Sequence, residues 1–160
     1  MYECSNFYNA SASASAALTG LIFIGISINL EKILQHSSLP TRASFSLLLL
    51  ISILIFSLIL LIPKQTPKLI GFLFTFLGFI LWAIITKADL KIHIETNPEY
   101  KRLFLMNLFF DQLAVLPYII GGIYILFLGQ TGLYFIAFAF IVSFIKSVSD
   151  AWVLLIEILR

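Results

Sequence analysis

Three ionisable residues stand where an apolar chain should not tolerate them. Asp111 lies inside "LFLMNLFFDQLAVLPYII", and Lys146 and Asp150 lie inside "FAFIVSFIKSVSDAWVLLI". A charged group near the centre of a hydrocarbon layer costs at least ~2.5 kcal/mol, so each needs a partner or a purpose. Lys146 and Asp150 are four residues apart and share one face of a helix. Asp111, if it faces them, completes an acid–base–acid cluster. Such a cluster can neutralise itself and pin helices in register as a buried polar lock. It can also hold a proton or an ion on a pathway, since a lysine between two carboxylates can release or take up a proton as the protein moves. A third reading has Lys146 and Asp150 extending to the interface beside Trp152. Asn107 lies one turn before Asp111 and Tyr118 two turns after it, while Ser27 and Asn29 end the first apolar segment near the same level.

The surroundings of these residues set their class. Of 160 residues, 61% are hydrophobic and 11% charged, against roughly 25% charged in a soluble domain. A globule of this size could not keep its surface wet with so few charges, and the composition predicts a membrane protein. The net charge of +2 gives no reason to expect nucleic acid, and the lone Cys4 excludes an intramolecular disulfide. A helix needs about 20 apolar residues to cross a ~30 Å hydrocarbon core. Five segments meet this, at about 10–34, 43–62, 68–90, 103–128 and 132–159. Runs such as "SLLLLISILIF" lack the alternation of a membrane barrel, so helices are the expected form. The fold expected is a single all-α domain, a polytopic bundle of five transmembrane helices.

Punctuation supports these limits. Thr66-Pro67 and Asn97-Pro98 each place a capping residue before a proline at the first helical position. The turn at 129–132 is short, so the last two spans should form an antiparallel hairpin. From the middle of that turn Asp111 and Asp150 are equally distant, about 29 Å along their helices. Lys64 and Lys68 fall on one side of the membrane. Lys32, Arg42, Lys87, Lys91, Lys101, Arg102 and Arg160 fall on the other. The excess of positive charge predicts the N-terminus outside and the C-terminus in the cytoplasm.

The stretch "NASASASAALTGLIFIGISINL" is read as a helix. A signal peptide would put its small residues after the apolar run, not before it. Ser11, Ser15 and Thr19 form one stripe and Ala12, Ala16 and Gly20 the next, both with the spacing that lets helices approach closely in lipid. The segment is expected to be a packed inner helix, its Ser/Thr stripe serving either packing or a pore. The second span, nearly all Leu and Ile, is expected to face lipid. The third should divide into a packing face (Gly71, Thr75, Gly78) and a greasy one (Phe72, Phe76, Phe79). The fourth carries a bend at Pro117 and a close-contact point at Gly121 and Gly122.

Trp82, Trp152 and Tyr100 read as interfacial anchors, and Glu31, Lys32, Glu157 and Arg160 as headgroup residues. His93 and Glu95 have only His36 to join them, too little for a metal centre. No nucleophile elbow, phosphate loop or pair of carboxylates over a soluble cleft is present, so no catalytic residue, cofactor or metal is assigned and no enzymatic activity is expected.

"AALTGLIFIGISINLEKIL" resembles the opening of a group of small bacterial polytopic membrane proteins. The residues that carry the likeness are Ala16, Ala17, Leu18, Thr19, Gly20, Leu21, Phe23, Ser27, Asn29 and Leu30, with "DAWVLLIE" at 150–157 in the same style. The resemblance implies a multi-pass protein of the bacterial inner membrane. The lead in this chain is richer in serine than the pattern, which keeps pore lining open. Two functions are expected from these features. One is a homo-oligomeric channel or transporter for ions or small solutes. The other is a non-conducting subunit, regulator or immunity-type protein that docks a membrane-protein partner through helix contacts.

Overall fold

A computed structural model describes residues 5–35, 39–95 and 101–159, with the side chains of 91–95, 101–104, 130 and 157–159 left aside. All regular structure among the described residues is helical: α1 (Ser5–Ile28), α2 (Leu30–Leu34), α3 (Leu39–Leu61), α4 (Pro67–Glu95), α5 (Lys101–Leu128) and α6 (Gly132–Leu159), with a 3-10 turn at Gly129–Thr131. Five of them, α1, α3, α4, α5 and α6, are long and apolar enough to cross a membrane. The shortest, α3, has 23 residues and at 1.5 Å per residue covers about 34 Å, more than the hydrocarbon core requires.

Local chemistry explains the helix limits. The first helix is described from Ser5, earlier than the apolar run suggests, and ends at Ile28 instead of continuing to Leu34. Asn29 Nδ2 donates to the Gly25 carbonyl at 3.0 Å. That carbonyl would ordinarily accept the Asn29 backbone N–H, which bonds the Ile26 carbonyl at 3.2 Å instead. The tightened turn interrupts the ladder, and Ile33 N–H then bonds the Asn29 carbonyl to open α2. Thr66 caps α4, its carbonyl accepting from the N–H groups of Leu69 and Ile70 and its hydroxyl lying 3.4 Å from the Leu69 nitrogen. Pro67 follows at the first position, where no intrahelical bond is lost. Gly129, at φ 71°, supplies the left-handed residue that ends α5. The proposed cap at Asn97 and Pro98 lies outside the described residues.

The chain divides into two compact units, residues 1–63 with 143–160, and residues 64–142. In the first unit α1 and α3 pack along one another. Here the expected roles of the first two spans are reversed. The Leu/Ile-rich α3 is the most buried of the candidate spans, with Leu49, Leu50, Ile53 and Phe56 enclosed. On α1 burial is limited to Tyr8, Ser11, Ala12 and Ser15, while Leu21, Phe23, Ile24 and Ile28 are exposed. Of the second small-residue stripe only Ala12 is buried, and nothing approaches the space beside Gly20. The reason is physical: lipid is as apolar as leucine, so greasiness does not sort buried from lipid-facing helices. A smaller apolar core joins Ile33, Leu39, Ala43 and Leu154, with Ile26 against it.

The second unit is built on close approach. A Cβ on Gly122 would lie 2.6 Å from the backbone nitrogen of Thr75, and one on Gly71 would lie 2.8 Å from the Gly122 carbonyl. Further along, Gly78 meets Tyr118 and Ile119. These contacts run in opposite chain directions, so α4 and α5 are antiparallel. Phe72, Phe76 and Phe79 occupy the exposed side of α4. The first half of α6 turns back along α5, with Gly121 against Gly132 and the Tyr118 ring 5.9 Å from Phe140. Pro117 lies inside α5.

Candidate intramembrane charge site

The sequence of α6 positions the site through its buried seam. Ile136, Phe140, Ser143, Ser147, Asp150 and Leu154 are all buried, and their spacing alternates between four and three residues. That is the spacing of a stripe facing one direction along a helix. Its lower half is polar. Lys146, beside the seam, donates from Nζ to Oδ2 of Asp150, and the two residues are only 8% and 7% exposed. Lys146 lies fourteen residues into the α6 span from Gly132, about 21 Å along the axis. Asp150 lies six residues before the end of that span at Ile156. Ser147 Oγ donates to the Ser46 carbonyl of α3 at 2.8 Å. That bond crosses between helices one residue from Lys146 and so fixes the rotation of α6 within the first unit. The pair is therefore enclosed by protein.

Asp111 belongs to the second unit, on α5, and is 2% exposed. A further buried carboxylate, Asp89 on α4, is 3% exposed. A polar bridge joins the same two helices: Trp82 Nε1 donates to Gln112 Oε1 at 2.7 Å, and Gln112 Nε2 donates to Thr86 Oγ1 at 3.1 Å. Trp82 is thus tied into α5 and is not simply an interfacial anchor. With Thr86 opposite Gln112 in an antiparallel pair, Asp89 falls level with about residue 109, within a turn of both Asn107 and Asp111. Two buried carboxylates and a bridging amide in one helix pair are groups able to hold a proton or a cation.

The remaining residues singled out from the sequence divide by unit. Asn29 is half-buried at the α1–α2 break and bonded to Gly25, and Ser27 is exposed with its hydroxyl turned back to the Phe23 carbonyl at 2.8 Å. Ser11 and Ser15 are buried and Thr19 half-buried. Ser15 and Thr19 bond back to the carbonyls of Ala12 and Ser15, at 3.0 and 2.6 Å. Asn107 is half-buried in the second unit, and Tyr118 is fully enclosed there.

Asp89 and Gln112 were not singled out by sequence reasoning. A signal for Asp89 exists: Ile70, Phe74, Gly78, Leu81, Ile85 and Asp89 follow helical spacing and are all buried. Flanking Lys87 and Lys91 make the same position read as a wetted helix end. No family model matches this chain, and neither the curated proteins nor the solved structures contain one that matches it.

Proposed function

We propose that this chain is a multi-pass protein of the bacterial inner membrane that moves an ion or small solute, working as a homo-oligomer. The observation that carries the reading is the enclosure of four ionisable side chains, Asp89, Asp111, Lys146 and Asp150, inside segments long and apolar enough to span a bilayer. Intramembrane ionisable groups are costly and mark translocation or proton-transfer routes. With the excess of Lys and Arg on one set of loops, the N-terminus is outside and the C-terminus cytoplasmic. The Lys146–Asp150 pair with Asn29 in the first unit, and Asp111 with Asn107 and Tyr118 in the second, are each part of this proposal. The reading is non-enzymatic and requires no cofactor.

The test is flux into proteoliposomes carrying the purified protein, with Asp111→Asn and Lys146→Met as variants. The proposal expects cation or proton flux in the parent and at least a tenfold fall in either variant. Flux that persists unchanged in both excludes these residues from the route. A second reading is a non-conducting subunit that docks a membrane-protein partner. It is favoured by α1, where Ala16 is exposed and the space beside Gly20 is open. A parent protein that supports no flux and is recovered from native membranes with one stoichiometric partner would favour it over the first.

A further inference from the structure

The two acids of the second unit share their helix turns with a polar bridge whose chemistry is fixed by one member. Trp82 Nε1 can only donate. It donates to Gln112 Oε1 at 2.7 Å. The amide is thereby committed to one orientation, and its nitrogen donates to Thr86 Oγ1 at 3.1 Å. Gln112 directly follows Asp111 on α5. Thr86 precedes Asp89 by three residues on α4, about 4.5 Å along the axis. The bridge members are half-buried, whereas Asp111 and Asp89 are 2% and 3% exposed.

What these groups offer an incoming ion decides which ion suits them. A metal cation that leaves water needs several oxygens to replace its hydration shell. Both side-chain oxygens of the bridge, Gln112 Oε1 and Thr86 Oγ1, already accept from an N–H. A cation using either must share it with that positive hydrogen or displace it. The hydrogens that remain, on the Gln112 nitrogen and the Thr86 hydroxyl, are donors and favour negative charge beside them. Among the described residues no group of three or more His, Cys, Asp or Glu is placed to hold a metal ion, so Asp89 and Asp111 gain no third ligand of that kind. A proton asks for less, because one carboxylate oxygen suffices to hold it.

Resting on the proposal that this protein moves an ion, we infer that the ion carried at Asp89 and Asp111 is the proton and not a metal cation. A proton taken from water on one side bonds a carboxylate oxygen, and the same O–H bond breaks to return it to water on the other. No electron moves and no co-reactant is needed. The bridge holds the turns of Asp89 and Asp111 in register, and its hydrogens disfavour a competing cation.

The experiment compares three ions in proteoliposomes holding the purified full chain under one imposed membrane potential. Proton entry is read with an enclosed pH dye, and sodium and rubidium entry with radioactive tracers. The expected result is a proton permeability in the parent at least tenfold above that of either metal ion. It should fall at least tenfold in Asp89→Asn and in Asp111→Asn. The ion preference is read on the parent and does not depend on any variant folding. Sodium or rubidium permeability equal to or above that of the proton, and lost in the same variants, overturns the inference and leaves the ion-moving reading in place. Proton flux unchanged in both variants also overturns it. No flux of any of the three overturns the inference together with the reading it rests on.

Discussion

Lys146 and Asp150 form a buried ion pair one turn apart on α6. Breaking a buried ion pair leaves an uncompensated charge and costs about 3–5 kcal/mol, whereas replacing both partners by apolar groups is often neutral. Lys146→Met is therefore expected to destabilise the fold by about 3 kcal/mol. The double variant Lys146→Met with Asp150→Leu should recover most of that loss. Thermal unfolding of the four members of this cycle in detergent checks it, and additive losses would contradict an interior pair. This pair was legible in the sequence because its spacing is local and its helix regular. Asp89 was not, because its burial depends on α4 continuing past Lys87 with its face held against α5. The neighbouring lysines mask that in the sequence. Ser147 illustrates a different limit: its bond to the Ser46 carbonyl spans 101 positions, and no local pattern announces it.

At the scale of helices, glycine shows where backbones meet. Gly122 has the Thr75 backbone 2.6 Å from where its Cβ would be, and Gly20 has nothing within 4 Å. Gly122→Ala must push α4 and α5 apart and is expected to cost about 1–3 kcal/mol by overpacking. Gly20→Ala is expected to be neutral or to stabilise α1 by up to about 1 kcal/mol through helix propensity. Unfolding measured in SDS titrations separates the two, and equal effects would contradict the α4–α5 contact. The close-contact reading of Gly71, Thr75, Gly78, Gly121 and Gly122 came from sequence because small residues in lipid have few other uses. The identical logic over-reached on α1, where Ala16 and Gly20 present the same spacing to the outside of the protomer. It also misplaced α3, whose Leu and Ile residues pack within the first unit. Spacing identifies a face that can pack, and only the chain's three-dimensional path decides whether anything of its own is there to meet it.

For the whole molecule, 61% hydrophobic and 11% charged residues make membrane residence the simplest account of the chain. Five helices of spanning length agree with the five apolar runs counted along the sequence. The division into residues 1–63 with 143–160 and residues 64–142 was not legible. It cuts α6 between Val142 and Ser143, in the middle of an unbroken apolar segment where composition gives no sign of a boundary. The central claim is that the bilayer is the solvent of this chain and is crossed five times. Cysteine accessibility tests it most directly, because Cys4 is the sole native thiol. In a Cys4→Ser background, Lys64→Cys and Gln130→Cys should react with a membrane-impermeant maleimide on intact cells. Lys87→Cys should react only after the membrane is opened, and the native Cys4 of the parent should behave like Lys64→Cys. Labelling of the Lys64, Lys87 and Gln130 positions from the same side would contradict the five crossings.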